Sequence, residues 1–505
     1  MTERKPNFLV IMADFMGALT LPPYGNRIAK TPYLSSLAND SVVFENAYCN
    51  FPLCAPSRAS MMSSLMPSDT GVYDNGAEFP ASFPTFAHYL RQMGYRCELS
   101  GKMHFVGPDQ LHGFDQRLTT DLVPADFGWM PPWRDDALPQ WPGLDAIRDT
   151  GVVTRTMGID FDEEVTQQAV RRLYDYARDP DEQPFLLTVS YIEPHEPYKT
   201  TQTWWDRYTD DEIGLPSRSL LDKALWDDHS RRLYELMDVH EDALTAEQIV
   251  RARHGFYSML SFVDHKIGEV LTALETAGLD DNTVVIVTAD HGSMLGERGL
   301  WGILNFFEWA MRVPFMVRAP GRFEPRRVEA HMSLVDLMPT LLDLATDGRP
   351  PALANPIEGT SLVPFATGDR SVRDEPVFAE LSAEGCIAPC VMVRDADYKY
   401  VHCDEDAPVL FNLTDDPEEL TNLAAHPAHT DRVAGFEETV QSKWDLAKWR
   451  ADVETSRQRR ILIYETFEKS NPPVWDYAVD NNPWRFYQRS FREPWQDTEH
   501  KAVLK

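Results

Sequence analysis

Acidic residues directly follow two short apolar segments that predict buried strands. Asp14 comes after the run Phe8–Ala13, and Asp290 with His291 comes after Val284–Thr288. Because ligands bind where the carboxyl ends of parallel strands meet, we expect these side chains to lie together. Carboxylate oxygens with one imidazole nitrogen suit a divalent cation, although an acid at a strand end is also a common helix cap.

A cysteine stands immediately before a stretch with helical character. Cys54 and Arg58 belong to the segment 54–58 (CAPSR), which precedes the predicted helix Ala59–Leu65. The start of a helix presents unbonded amide donors and the positive end of the helix dipole. An anion at this position would meet both the amides and Arg58. The alternative is a buried cysteine with Arg58 in a surface salt bridge.

The remaining apolar runs and helical patterns predict the elements that carry these residues. Runs without polar alternation at Phe185–Ile192 and Pro314–Val317 predict further buried parallel strands. The periodicity between the strands predicts helices at Thr85–Met93, Asp162–Ala177 and Phe256–Leu274, and a helix from Pro32 with Thr31 as its N-cap. Strands that alternate with helices imply an α/β fold with a mostly parallel sheet.

The pattern changes after about residue 370. The segments Val377–Leu381, Val391–Arg394 and Tyr398–His402 predict short antiparallel strands, and the end of the chain is rich in aromatic residues. Solvated tails lack aromatic residues, so this one is expected to dock on a protein surface. The predicted units are a catalytic α/β domain at 1–370, a C-terminal α+β subdomain at 371–460 and a tail at 461–505.

The composition excludes some partners. The chain has 505 residues, of which 79 are acidic and 48 are basic, and its net charge is −31. This charge works against nucleic acid and anionic membrane surfaces, which bind through clustered cations. No apolar segment reaches the ~18 residues that span a bilayer, and Met1–Pro6 does not resemble the start of a signal peptide. We expect a cytoplasmic protein without membrane or nucleic-acid partners.

Six cysteines are too few and too scattered for a disulfide framework. Cys386 and Cys390 are four positions apart, a spacing that could indicate a metal site. No second pair completes a zinc set in the sequence, so these residues are interpreted as buried thiols.

The ordered motifs together resemble the type I sulfatases of the alkaline phosphatase superfamily. The motifs are 8–14, 54–58 with Ser60 and Leu65, 101–104 (GKMH), 194–197 (PHEP), 290–292 (DHG), 312–314 (RVP) and 416–419 (DPEE). The resemblance covers residue 5 to about 425. It implies an alkaline-phosphatase-like sheet flanked by helices, mixed and mostly parallel, with a smaller C-terminal antiparallel α+β subdomain.

Within the family, the chain is most similar to choline sulfatases. The segments that carry this similarity are 73–75 (YDN), 101–112, 125–129 (ADFGW) and 475–477 (WDY). The resemblance implies a small sulfate ester as the substrate and a homo-oligomer, a dimer or a tetramer, in which the tail reaches a neighbouring subunit.

The resemblance also implies a reaction. A formylglycine-generating enzyme oxidises Cys54 to formylglycine, and one hydroxyl of the hydrated aldehyde attacks sulfur and expels the alcohol. The second hydroxyl then expels sulfate. One divalent cation, Ca²⁺ or Mn²⁺, is implied at Asp14, residue 54, Asp290 and His291.

Further roles follow from the same resemblance. Arg58 would orient the formylglycine, and His104 or His195 would protonate the leaving oxygen. The side chains implied to hold the sulfuryl oxygens are Lys102, His104, His195 and Asn75. For a choline ester, Trp129 would form one wall of an aromatic cage around the quaternary ammonium.

Two positions depart from the family pattern. Phe15 follows Asp14 where many sulfatases have a second aspartate, which removes an oxygen ligand and makes manganese an alternative to calcium. Ile303 stands where the family usually has a sulfate-binding lysine. Other hypotheses are therefore kept: an arylsulfatase or other alkyl sulfatase, a phosphonate or phosphodiester hydrolase, a non-catalytic binding protein, and a phosphoryl-transfer enzyme that uses unmodified Cys54.

Overall fold

The computed structural model describes residues 4–127, 143–219, 222–240, 243–471, 474–478 and 503–504. Its strands are β1 (Asn7–Ala13), β2 (Val42–Tyr48), β3 (Arg96–Gly101), β4 (Gln116–Arg117), β5 (Gly151–Val152), β6 (Arg155–Thr156), β7 (Phe185–Tyr191), β8 (Lys199–Thr200), β9 (Thr283–Thr288), β10 (Met294–Leu295), β11 (Trp301–Gly302), β12 (Met316–Arg318), β13 (Arg326–Ser333), β14 (Val377–Leu381), β15 (Cys390–Asp395), β16 (Tyr398–Cys403), β17 (Val409–Asn412) and β18 (Val503–Leu504).

The α-helices alternate with these strands over most of the chain. They are α1 (Pro32–Asn39), α2 (Cys54–Ser63), α3 (Pro67–Thr70), α4 (Phe86–Gln92), α5 (Asp145–Arg148), α6 (Met157–Ala177), α7 (Gln202–Trp205), α8 (Asp210–Ile213), α9 (Asp228–Leu236), α10 (Ala246–Thr276), α11 (Glu308–Met311), α12 (Leu337–Thr346), α13 (Val363–Thr367), α14 (Thr430–Lys443) and α15 (Leu446–Glu468). In the described residues, no helix combines the length and the apolar character that crossing a bilayer requires.

The main sheet is mixed and mostly parallel, as predicted. Its eight strands run in the order β13-β2-β12-β9-β1-β7-β3-β4. Only β12 is antiparallel to its neighbours, β2 and β9. The central strand β1 pairs in parallel with β7 and β9, and every residue of β1 is buried. A strand covered on both faces has no solvent side, which explains its unbroken apolar run.

Helices cover both faces of the sheet. In β3, Cys97 and Ser100 are three residues apart and therefore point to opposite faces. The Cys97 thiol lies 3.7 Å from the carbonyl oxygen of Ala87 in α4, whereas the Ser100 hydroxyl donates a 2.9 Å hydrogen bond to the carbonyl of Val165 in α6. The fold class predicted from the sequence is thus confirmed.

A second, antiparallel sheet follows in the C-terminal part. Its strand order is β14-β15-β16-β17, and a separate small core joins it to α14 and α15. In this core the rings of Tyr400 and Phe436 stack at 5.3 Å. The helix α15 runs through residue 460, where the sequence suggested that the tail begins. The domain boundaries remain a prediction.

The cap of α1 differs from the sequence-based expectation. The Thr31 side chain makes no capping hydrogen bond. Instead, the Asp264 carboxylate in α10 accepts hydrogen bonds from the amides of Tyr33 and Leu34, at 3.2 and 2.8 Å. A carboxylate from a distant helix thus satisfies the exposed amides of the first turn.

Candidate active site

Four adjacent strands of the main sheet end at the same edge. The parallel strands β9, β1, β7 and β3 are neighbours in that order. Asp290 and His291 follow β9, Asp14 follows β1, His195 lies shortly after β7, and Lys102 follows β3. Residues separated by up to 277 positions along the chain therefore meet at one edge. Cys54, which is the first residue of α2, lies at the same edge.

The predicted cation ligands form one buried group. One ligand atom from each of Asp14, Cys54, Asp290 and His291 lies within 4.8 Å of all the others. The His291 Nε2 atom is 3.4 Å from the Cys54 sulfur and 3.7 Å from Asp14 Oδ1. Its Nδ1 atom is 3.0 Å from the Gly292 carbonyl oxygen, a contact that orients the ring. Two carboxylates beside one imidazole fit a divalent cation well.

Arg58 is buried beneath this group. Its Nε donates to Asp290 Oδ2 at 2.8 Å, and one terminal nitrogen donates to Asp14 Oδ2 at 3.2 Å. The other terminal nitrogen donates to the Ser190 hydroxyl at 2.9 Å. The alternative of a surface salt bridge is wrong, because the Arg58 side chain has no exposed area. Arg58 fixes the two carboxylates relative to each other.

Lys102 also binds the Asp14 carboxylate. Its ammonium donates to Asp14 Oδ2, and both groups are almost completely buried. Burial alone would raise the pKa of Asp14, but the charges of Lys102 and Arg58 outweigh it and hold the pKa well below its usual value. Asp14 is therefore a carboxylate at any physiological pH.

The Cys54 thiol is not activated by its protein surroundings. Burial and the neighbouring Asp14 carboxylate raise the pKa of this thiol well above its usual value. A neutral thiol is a weak nucleophile. These surroundings do not favour the hypothesis of phosphoryl transfer by unmodified Cys54.

The two predicted catalytic histidines are neutral at physiological pH, and His104 is buried whereas His195 is partly exposed. Burial and the charge of Lys102 lower the pKa of His104 to about 3, and burial lowers the pKa of His195. The His195 Nδ1 atom lies 2.8 Å from the Glu196 carbonyl oxygen. An anionic substrate would raise both pKa values, because negative charge stabilises an imidazolium ion.

Asn75 connects the site to the start of α2. Its side-chain oxygen accepts a 3.0 Å hydrogen bond from the amide of Ala55, the residue after Cys54. The amide end of Asn75 is then the part of the side chain that can donate to a substrate oxygen. The remaining predicted residue, Trp129, lies outside the described residues.

Both departures from the sulfatase pattern lie in or beside the site. The Phe15 ring, at a backbone φ of +63°, packs 4.3 Å from the His195 ring and 5.1 Å from the His291 ring. Ile303 is buried, and the amide of the next residue, Leu304, donates to the Pro52 carbonyl at 3.2 Å. An aromatic ring and an aliphatic side chain therefore stand at the two positions where the resemblance to sulfatases implies a carboxylate and an ammonium group.

Sequence reasoning missed two polar residues that support the site. Ser190 binds Arg58, and the Asp121 carboxylate accepts 3.0 Å hydrogen bonds from the amides of Met103 and His104. Ser190 is one of three hydroxyl side chains in the mostly apolar strand β7, and the sequence does not single it out from Thr188 and Tyr191. Asp121 carries no signal either, because its role depends on how the loop after β3 folds back.

Two distant segments that carried the similarity to choline sulfatases are in contact. The Phe127 ring meets the Trp475 ring edge-on at 5.4 Å, and Asp476 Oδ1 accepts a 3.2 Å hydrogen bond from the amide of Ala125. The carbonyl of Ala125 accepts in turn from the amide of Gly107, three residues after His104. The Phe127–Trp475 pair is therefore connected, through Ala125 and Gly107, to the loop that carries His104.

Comparisons with known proteins give one family. The sulfatase family profile matches residues 6–347, and the profile of the N-sulphoglucosamine sulphohydrolase C-terminal region matches residues 296–445. The choline-sulfatase of Rhizobium meliloti (strain 1021) is 40% identical over 490 residues, or 94% of each chain. Arylsulfatase K of Gallus gallus is 28% identical and covers 87% of this chain and 81% of its own.

Solved structures agree with this fold. A phosphonate monoester hydrolase from Silicibacter pomeroyi has a TM-score of 0.68 and 25% identity, over 86% of this chain and 94% of its own. A 2-O GAG sulfatase has a TM-score of 0.68 and 23% identity, over 97% of both chains, and so supports the fold alone.

Proposed function

Because the chain belongs to the sulfatase family and is a sulfuric ester hydrolase, we propose that it hydrolyses choline sulfate with formylglycine at position 54 and one divalent cation. The observation that carries the proposal is the buried group of Asp14, Cys54, Asp290 and His291 at the sheet edge. The extensive similarity to the choline-sulfatase of Rhizobium meliloti supports the choice of ester.

The net reaction converts a sulfate monoester and water into an alcohol and sulfate. A cation held by Asp14, Asp290 and His291 would supply Lewis-acid chemistry, and the hydrated aldehyde of formylglycine would supply the nucleophile. The protein's own contribution is to hold these groups rigid. Arg58 does so through its paired hydrogen bonds to the two carboxylates.

The cationic and polar side chains bind the sulfuryl group. Lys102 balances the charge that develops on the sulfuryl oxygens, and Asn75 donates to one of them. His104 and His195 are neutral before substrate binds, and the negative ester raises their pKa values. Protonation of either ring then prepares it to donate a proton to the leaving alcohol oxygen.

A quaternary ammonium group offers no hydrogen bond, so its recognition requires aromatic faces or a negative charge. The contact between Phe127 and Trp475 supports such a site, because it brings two distant aromatic segments together close to the His104 loop. We propose Trp129 as a further wall of this cage. Each cation–π contact contributes roughly 0.5–2 kcal/mol.

The arylsulfatase relatives make aryl sulfates the alternative substrate class, and the solved structures add phosphonate monoesters. A panel of choline sulfate, nitrophenyl sulfate and a phosphonate monoester distinguishes the three. We expect the highest kcat/KM with choline sulfate. A higher kcat/KM with nitrophenyl sulfate would contradict choline sulfate as the substrate and would identify aryl sulfates as the substrate class.

The cofactors are tested separately. The peptide that contains residue 54 should be lighter by about 18 Da than its cysteine form, as expected for formylglycine. Chelation should abolish activity, and Ca²⁺ or Mn²⁺ should restore it. A fully active protein with an unmodified thiol or without metal would contradict the respective part of the proposal.

A further inference from the structure

Cys390 of the small sheet belongs to two overlapping groups of possible metal ligands, one with Cys386 and His229 and the other with Cys403 and Asp406. The Cys386 and Cys390 sulfurs are 3.8 Å apart, and a His229 nitrogen lies within 4.8 Å of both. Cys403 faces Cys390 across the β15–β16 pair, and its sulfur lies within 4.8 Å of Cys390. We call Cys386, Cys390, Cys403 and His229 the cysteine cluster.

Folding supplies the ligands that the sequence seemed to lack. Cys403 lies at the end of a hairpin whose register brings it opposite Cys390. His229 lies in α9, far earlier in the chain. The sequence-based interpretation of Cys386 and Cys390 as buried thiols holds for Cys390, whereas Cys386 is partly exposed.

The His229 ring is oriented as in a metal ligand. Its Nε2 atom lies 2.7 Å from the Leu304 carbonyl oxygen, which can only accept a hydrogen bond, so Nε2 carries the proton. Nδ1 then keeps a lone pair, which faces a terminal nitrogen of Arg232 at 3.5 Å; a metal ion would replace that contact. Histidine ligands commonly donate their second N–H to a backbone carbonyl in this way.

The nearby acid is already neutralised. Asp406 receives two hydrogen bonds from Arg232, at 2.7 and 2.6 Å. Arg232 also donates to the Gly385 carbonyl at 2.7 Å, beside Cys386. Three thiolates with a divalent ion carry one net negative charge, and this charge would share the Arg232 guanidinium with Asp406.

We propose that the cysteine cluster binds one structural Zn²⁺ through three thiolates and the His229 imidazole. Such a Cys₃His set is a common tetrahedral zinc site. A tetrahedron with Zn–S bonds of about 2.3 Å has S–S edges of about 3.8 Å, the separation found between Cys386 and Cys390. Cys390, Cys403 and His229 are among the residues that line a cavity of about 40 Å³, which Cys386 does not line.

The proposed ion would tie the small sheet to α9 and, through it, to the catalytic domain. His229 binds the Leu304 carbonyl, and the Leu304 amide binds Pro52, two residues before Cys54. The zinc site is separate from the proposed catalytic cation, because the two groups share no residue. It does not depend on the proposed substrate.

The test measures zinc in the purified full-length protein produced in zinc-supplemented medium. We expect the wild type to contain one zinc ion per chain more than Cys390→Ser, and Cys54→Ala to keep the ion of the cysteine cluster, whatever the occupancy of the catalytic cation site. Cys97→Ala is the matched control, because this buried thiol lies in the main core outside the cysteine cluster. Cys97→Ala should keep its zinc.

Cobalt provides a readout that does not depend on how the variants fold. Co²⁺ added to metal-depleted wild-type protein should give the intense thiolate-to-cobalt absorption of a tetrahedral site. The same band should appear in Cys54→Ala. A wild-type protein with neither zinc nor this band would overturn the proposal, as would a disulfide between any two of the three cysteines.

Discussion

Arg460 forms a buried, two-pronged ion pair with Asp74. Both hydrogen bonds measure 2.7 Å, and the two side chains are 5% and 1% exposed. Burial raises the pKa of Asp74, but the charge of Arg460 outweighs this effect and lowers it. The pair joins the helix α15 to the residue before Asn75, and Asn75 in turn holds the helix that begins at Cys54.

Arg460→Met should therefore impair both stability and catalysis. The substitution leaves the Asp74 carboxylate buried and uncompensated, which costs about 3–5 kcal/mol. Urea unfolding measures this loss, and kcat/KM should fall because Asn75 loses its support. Arg450→Met on the same helix is the matched control, since the ion pairs of Arg450 with Glu405 and Glu454 are exposed and contribute about 1 kcal/mol at most. Equal effects of the two variants would contradict the assigned role.

Cys54→Ala should abolish turnover and leave the fold intact. Alanine cannot be oxidised to formylglycine, and Cys54 is buried at the start of α2 beside the two carboxylates. Activity of the purified variant and its circular dichroism spectrum measure the two parts. Cys97→Ala should retain activity. More than a few per cent of wild-type turnover in Cys54→Ala would refute the formylglycine mechanism.

Ile303→Lys should strengthen anion binding. Ile303 is buried in a segment next to the Cys54 loop, and a lysine there would add the cation that the family usually has. One added charge-assisted hydrogen bond should raise kcat/KM for a sulfate ester about tenfold. Ile303→Met controls for side-chain length. The measurement is the rise in Tm that sulfate causes in each variant. An equal rise in both variants would show that position 303 does not face the anion.

Glu380 should make stability fall as the pH rises. Burial raises the pKa of Glu380 from 4.5 to about 7, although Ser68 and Trp444 donate hydrogen bonds to it. The folded chain therefore holds a proton that the unfolded chain releases between pH 4.5 and 7. This contribution is fully present below pH 4.5 and is lost as the pH rises through 7.

Glu380→Gln should remove that slope. Between pH 4.5 and 7 the wild type should lose roughly 3 kcal/mol of unfolding free energy relative to the variant. Urea unfolding at several pH values measures the difference. Glu375→Gln, at an exposed position nearby, should behave like the wild type. Parallel pH profiles for wild type and Glu380→Gln would show that the carboxyl titrates normally.

The tail is proposed to contact a neighbouring subunit. Its described pieces pack on their own chain: Trp475 lies against Phe127 and Phe467, and β18 pairs with β6. The contact with a second subunit remains a prediction for the rest of the tail, which contains Trp484 and Trp495. A chain that ends before Trp484 should form smaller oligomers in light scattering and turn over more slowly. An unchanged number of subunits per oligomer together with unchanged kinetics would exclude a role for the tail between subunits.

The sequence by itself determined the elements that depend on local pattern. The apolar run of β1 reads as a strand buried on both faces, and the structure contains it from Asn7 to Ala13. The periodic residues of α10 and the three hairpin strands β14 to β16 also lie where predicted. The spacing of hydrophobic residues within a short segment indicates the type of element and its buried face, so these elements can be predicted from neighbouring residues alone.

Only the tertiary structure decided which distant residues meet. Asp264 caps α1 in place of Thr31, and Cys403 joins Cys390 across a hairpin. Lys102 meets Asp14 because β3, β7 and β1 lie side by side, an order that no local spacing encodes. The resemblance to sulfatases suggested that these two residues share a site, but their direct hydrogen bond depends on strand order and burial, which arise only when the sheet assembles.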